Sequence, residues 1–199
     1  MSSSPLILGV LISGNGSNLQ AIIDACQEKR INAKLAVVVS DNKNAYGLQR
    51  AEEAGIPHFV VKRTAFASQK EFEEEIVSCL KRHSVQLVCL AGFMRIIGKN
   101  LLAAFPNHIL NIHPSLLPAF PGLDAVKQAY DAKAKLAGCT VHVVDELMDH
   151  GPILLQASVE VTASDTYESL KAKILEQEHK IYPKVIQLIA EKKISLSTF

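Results

Sequence analysis

The sequence predicts an α/β protein: a single domain on a mostly parallel, twisted sheet, flanked by helices on both faces, with an antiparallel C-terminal edge. Three observations predict it. The first half alternates apolar runs of strand length with helically spaced segments, the pattern of right-handed βαβ units. "LILGVLIS" (6–13), "KLAVVVS" (34–40) and "VQLVCLAGF" (85–93) are each built on a continuous apolar run, as strands covered on both faces are. "LAGCTVHVVDE" (136–146) and "PILLQASVEV" (152–161) follow each other too closely for a crossover helix, so they form the antiparallel edge.

Each element has its own signal. Leu19, Ile22, Ile23 and Cys26 recur at helical spacing, so a helix follows the first strand. Ala45 to Ala54 is a short helix stopped by Gly55 and Pro57, and "HFVV" (58–61) is a short third strand. Ser68 and Glu71 stand at capping-box spacing and open a helix with Phe72, Ile76, Cys79 and His83 on its inner face. "HILNIH" (108–113) is the fifth strand. Pro114, Pro118 and Pro121 then forbid regular structure up to Gly122. "DAVKQAYDAK" (124–133) is helical. Asp165 with Glu168 opens a long last helix, its inner face Leu170, Ile174, Ile181, Val185 and Leu188, with a kink at Pro183.

Composition narrows the function classes. The 199 residues suit one compact domain, and a net charge of +1 gives no general electrostatic case for nucleic acid or an anionic membrane. No run of eighteen apolar residues suggests a membrane span, and "MSSSPLILGV" does not read as a signal peptide. Cys26, Cys79, Cys89 and Cys139 are scattered without a C-x-x-C pair, which favours buried reduced thiols and a cytoplasmic setting.

The loop after the first strand, Gly14-Asn15-Gly16-Ser17-Asn18, carries chemistry. Two glycines let backbone approach an anion, the next helix offers free N–H groups, and Ser17 and Asn18 add side-chain donors. Three readings stay open: a single phosphate, a dinucleotide, or a tight turn that binds nothing. Against the dinucleotide, Leu19 stands where its fingerprint needs a third glycine, although Asp41 could imitate the ribose-binding acid. No Lys-Ser/Thr follows the glycines, which excludes a nucleoside-triphosphate loop.

A second constellation lies in "LNIHPSLLPAFPG" (110–122). Asn111 and His113 are two apart on a strand, so they share a face at its carboxyl end. An amide beside an imidazole can stabilise an oxyanion and manage a proton; the plain alternative is a strand end before a proline-rich turn. Asp149, in "DELMDHGP" (145–152), could bring a carboxylate to His113 and keep it cationic. His108, His113, His142 and Asp149 lack metal-ligand spacing, so no metal is expected. Ser13, Ser17 and Ser115 sit in no nucleophile elbow, and the apolar flanks of Cys89 argue for burial.

At these residues the sequence resembles the phosphoribosylglycinamide formyltransferase family, the folate-dependent transformylases of purine synthesis. The resemblance runs from about Leu8 to Pro183, on "LISGNGSNLQAIIDA", "VSDNKNAYGLQRAEEAGIP", "LAGFMRII", "LNIHPSLLPAFPG" and "GCTVHVVDELMDHGPILLQ", in order. It implies a Rossmann-like formyltransferase fold over residues 1–199, with a phosphate-binding half to about 105 and a catalytic, folate-binding half from about 106. Gly16, Ser17, Asn18 and Glu178 would hold glycinamide ribonucleotide. Met94, Arg95, Ile96 and Ile97, with Asn111 and the Asp145-Glu146-Leu147-Met148 loop, would line the site of the co-substrate 10-formyltetrahydrofolate. Asn111, His113 and Asp149 match the catalytic trio. Gln69 stands where the family often has a folate-contacting arginine, and Lys70 beside it is offered in its place, without the bidentate fork.

The resemblance further implies small-molecule partners only, with no nucleic acid and no membrane, and a monomer or weak homodimer. The rival readings are methionyl-tRNA formyltransferase, a formyltetrahydrofolate hydrolase, and a non-catalytic nucleotide-binding module.

Overall fold

A computed structural model describes residues 4–198. In chain order it contains β1 (Leu6–Ile12), α1 (Ser17–Gln27), β2 (Ala33–Ser40), α2 (Tyr46–Glu53), β3 (His58–Val60), α3 (Gln69–Arg82) and β4 (Leu87–Leu90). There follow α4 (Lys99–Ala104), β5 (Ile109–His113), α5 (Ala125–Asp131), β6 (Leu136–Val143), β7 (Ile153–Glu160) and α6 (Tyr167–Ala190). Short 3₁₀ turns occupy Arg63–Ala65 and Leu196–Thr198. Among the described residues the strands form one seven-stranded sheet, ordered β3-β2-β1-β4-β5-β6-β7. The first five strands of that order run parallel, and β6 is antiparallel to both β5 and β7.

The unbroken apolar runs are explained by a core on each face. Val10, Val38 and Cys89 pack with α1, α2, α5 and α6, while Leu11, Val37, Val39, Val88 and Leu90 point the other way onto α3 and α4. Leu19 and Ile22 on α1 are fully buried, each contributing about 2 kcal/mol. Tyr182 is also fully buried, and its hydroxyl lies 3.0 Å from the Leu90 carbonyl and 3.1 Å from that of Leu110. A phenol is thus anchored on the ends of β4 and β5 without an orphaned polar atom.

Some details depart from expectation. Leu188 is only half-buried; Tyr182, Pro183 and Ile186 fill the inner face of α6 instead, and the helix runs unbroken through Pro183. Its cap is Thr166, whose hydroxyl accepts the Ser169 N–H while the Ser169 hydroxyl takes that of Thr166. Asp165 is spent on Thr162, Ser169 and Lys173. At α3, Ser68 caps Glu71 as expected, but the Glu71 carboxylate reaches back to Ala67. His83 terminates α3 against Phe59. The short helix α4 and the antiparallel pairing of β5 with β6 have no signal in the local sequence.

The chain leaves β1 toward β2 on one side and returns to β4 on the other. The carboxyl ends of β1 and β4 therefore diverge into a crevice, where ligands of open α/β sheets bind.

Candidate active site

On the β1 side of the crevice lies the glycine loop. Gly16 has φ +73°, and a Cβ there would fall 2.7 Å from the Gly47 Cα, so only glycine fits. Gly16 is also the N-cap of α1 and supplies no side chain to it, leaving first-turn N–H groups open to an anion. Arg50 braces the loop, donating to the Asn15 backbone carbonyl at 3.0 Å, to the Asn15 side chain at 3.2 Å and to Gln20 at 3.1 Å. A cavity of about 370 Å³ opens beside Ser17, lined also by Gln20, Asp24, Arg30, Arg50 and His179.

The Asn18 amide donates to Glu178 of α6 at 2.7 Å, so two expected ligand residues are already joined. Burial pushes the Glu178 carboxyl up to about 7, against the opposing pull of the Asn18 hydrogen bond. Asn18 Oδ1 is buried without a partner among the described residues.

On the β4 side, the segment after Leu90 is stitched to Ser13, the residue that follows β1. Ser13 donates its N–H to the Gly92 carbonyl at 3.1 Å and accepts the Met94 N–H on its hydroxyl at 2.8 Å. Met94 and Ile96 project into solvent, 67% and 73% exposed, whereas Ile97 is buried in the second core. What Ile97 can offer a ligand is therefore its backbone. Arg95 pairs with Asp41 at 2.6 Å, which occupies the acid that could have imitated a ribose contact. Lys70 lies on the exposed face of α3, 3.7 Å from Glu74. Its neighbour Gln69 touches the loop, donating to the Ile96 carbonyl at 3.3 Å and accepting from Arg63 at 3.2 Å.

The third element is the trio. Asn111 and His113 lie on the last three residues of β5, and Asp149 meets His113 from the loop after β6, in a left-handed conformation (φ 52°) that Asp tolerates better than most residues. Asp149 Oδ2 lies 3.4 Å from His113 Nδ1 and accepts the Gly122 N–H at 2.8 Å. His113 Nε2 lies 2.9 Å from the Phe120 carbonyl. A carbonyl only accepts, so Nε2 carries a proton, and Nδ1 faces the Asp149 carboxylate at a histidine that is 5% exposed.

The sequence offers His142 only as a metal-ligand candidate, and its position gives it another role. It pairs with Asn111 across the β5–β6 ladder. Its Nδ1 donates to the Val143 carbonyl at 2.9 Å, and burial lowers its pKa below the ordinary imidazole value. The neutral ring then presents Nε2 as an acceptor to the Asn111 amide at 3.2 Å, fixing which way that amide faces. The available signal was period two: Thr140 and His142 are polar positions sharing a face of an otherwise apolar strand. Thr140 works with Gln156 to pin the proline loop, donating to the Ser115 carbonyl at 2.6 Å while Gln156 donates to that of Leu117 at 2.9 Å.

The Asp145–Met148 segment is folded by its own acid. Asp145 accepts the Leu147 N–H at 2.9 Å and pairs with His150 at 2.8 Å, leaving Leu147 and Met148 exposed. Ser115 and Cys89, two of the residues named as poor nucleophiles, are spent or inert. Ser115 donates to the Ala119 carbonyl, and burial pushes the Cys89 thiol up to about 12. Among the described residues, no helix is long and apolar enough to cross a membrane.

Comparison with known proteins identifies the family. The family pattern described as formyl transferase matches residues 8–186. The phosphoribosylglycinamide formyltransferase of Bacillus subtilis is 47% identical over 178 residues, covering 89% of this chain and 91% of that protein. Its Escherichia coli counterpart is 42% identical over 187 residues, covering 94% and 88%. The crystal structure of glycinamide ribonucleotide transformylase 1 from Symbiobacterium toebii superposes with a TM-score of 0.95 at 50% identity, over 98% of this chain and 92% of that one. With the pattern spanning most of its length, this chain belongs to the formyl transferase family.

Proposed function

We propose that the chain transfers the formyl group of 10-formyltetrahydrofolate to the glycinamide amine of glycinamide ribonucleotide, a step of purine synthesis. The observation that carries this reading is the pairing of His113 with Asp149, with Asn111 two residues before on the same strand, at the same sheet edge as an anion-ready glycine loop. The N–H groups of Gly16, Ser17 and Asn18 hold the phosphate, and Glu178 faces the glycinamide end. The folate lies against Met94 and Ile96 on one side and Leu147 and Met148 on the other, where apolar side chains stand exposed.

The amine nitrogen attacks the formyl carbon, and the negative charge of the tetrahedral species gathers on the formyl oxygen. Asn111, oriented by His142, donates to that oxygen. The His113 Nε2–H, which lies 2.9 Å from the Phe120 carbonyl, is the second donor. One well-placed donor of this kind is worth about 3 kcal/mol. As the bond from carbon to N10 breaks, the amine loses a proton and N10 gains one, relayed by His113 or by a water held on Asp149.

The test mixes protein, glycinamide ribonucleotide and 10-formyltetrahydrofolate, and follows deformylation of the folate optically. Deformylation that requires the ribonucleotide supports transfer. Equal deformylation without it would assign a hydrolase instead.

A further inference from the structure

Glu73 is a buried carboxylate that the proposed reaction does not use. It points inward from α3 with 2% exposure, a costly position for a charge unless it is fully hydrogen-bonded. Three donors supply that bonding. Oε1 accepts the Gly98 N–H at 2.5 Å and the Gln69 side-chain amide at 2.8 Å, and Oε2 accepts the Leu101 N–H at 3.3 Å. Gly98 is the N-cap of α4 and has no side chain with which to cap it, so a carboxylate from another helix does so. The fit is close: a Cβ on Gly98 would lie 2.6 Å from Glu73 Oε1.

The consequence lies in the segment just before Gly98. Its backbone is held at one end by the Met94 N–H on Ser13 and at the other by the Gly98 N–H on Glu73. Between them, Gln69 bridges Glu73 to the Ile96 carbonyl, and Asp41 holds Arg95. A segment fixed at four points nevertheless holds Met94 and Ile96 out in water. Apolar side chains on a rigid, exposed backbone suit a preformed contact surface, because little ordering entropy remains to be lost on binding.

We propose that Glu73 is a positioning residue for the folate: through Gly98 and Gln69 it fixes the backbone that presents Met94 and Ile96 to the co-substrate. This rests on the reading of residues 94–97 as the folate side of the site. Glu73 itself touches no substrate, so its effect falls on folate affinity and spares the ribonucleotide, whose loop is tied to β1, α2 and α6.

Two variants approach the contact from opposite sides. Glu73→Gln keeps the shape but turns an N–H group toward one of the donors, since an amide has a single acceptor oxygen. Gly98→Ala leaves the carboxylate intact and pushes it away. Each is expected to raise the KM for 10-formyltetrahydrofolate about fivefold to tenfold, as loss of one ordinary hydrogen bond would, with the ribonucleotide KM unchanged within about twofold. Each is also expected to speed amide hydrogen exchange in residues 94–101 relative to the β1 and α1 amides. Parallel rises in both KM values, or unaltered folate KM and exchange, would overturn the proposal. If wild-type protein does not turn over the substrate pair, the functional reading has failed. The exchange measurement then judges the clamp alone: faster exchange confined to 94–101 upholds it, and unchanged exchange refutes it.

Discussion

Asp149 Oδ2 faces His113 Nδ1 at 3.4 Å while accepting the Gly122 N–H at 2.8 Å, so one carboxylate oxygen joins the loop after β6 to the end of β5. The imidazole is braced on its other side by the Phe120 carbonyl. Removing the charge of Asp149 without its shape separates electrostatics from packing. Asp149→Asn should lower kcat by about a hundredfold or more, within the range for a disabled acid–base partner, and leave the ribonucleotide KM near wild type. Steady-state kinetics with each substrate varied in turn checks this.

His142 acts on Asn111 rather than on substrate. Its neutral ring accepts from the Asn111 amide only because Nδ1 is committed to the Val143 carbonyl. His142→Ala should free the amide to rotate and lower kcat by about tenfold, the worth of one hydrogen bond. His142→Gln retains an acceptor oxygen and should lose less. A glutamine variant as impaired as the alanine variant would argue against positioning through that bond.

Glu178 gives a pH signature. Burial raises its carboxyl from the ordinary 4.5 to about 7, so between those values the folded protein holds a proton that the unfolded chain has released. The raised group favours the folded state fully below about 4.5, and this contribution is lost as pH rises to about 7. Its size is on the order of 3 kcal/mol. Glu178→Gln should therefore flatten the dependence of Tm on pH across this window, measured by thermal denaturation at fixed salt. A slope identical to wild type would contradict the assignment.

The glycine loop tolerates no side chain at its turn. In Gly16→Ala, φ +73° and a Cβ 2.7 Å from the Gly47 Cα act together. The variant should lose about 1–3 kcal/mol in urea denaturation and bind ribonucleotide more weakly. At the neighbouring Gly14, no atom lies within 4 Å of the place a methyl group would take, and φ is ordinary. Gly14→Ala should therefore change stability little.

How far the sequence can be read follows from range. β1, β2 and β4 are legible because a buried parallel strand needs apolar residues on both faces, and Val37, Val38 and Val39 all point into one core or the other. Asn111 and His113 are legible because their spacing of two is intrinsic to a strand, and Asp149 is legible as an acid in a second polar loop at a strand end. The roles of His142, Gln156 and Glu73 depend on cross-strand register and on helix packing, which no local window records. Glu73 in particular sits among Glu71, Glu74 and Glu75, and only the docking of α4 distinguishes it from its solvated neighbours. The family resemblance offers Lys70 in place of an arginine near the folate, but its ion pair runs along the exposed helix face to Glu74, while Gln69 makes the contact with the loop.

The central claim is that His113 carries formyl transfer between these two substrates. Single-turnover deformylation of 10-formyltetrahydrofolate, with glycinamide ribonucleotide saturating, tests it in wild type and His113→Ala. Ribonucleotide-dependent turnover is expected in the wild type, and a loss of about a hundredfold or more in the variant. A His113→Ala protein that deformylates folate at the wild-type rate would contradict it.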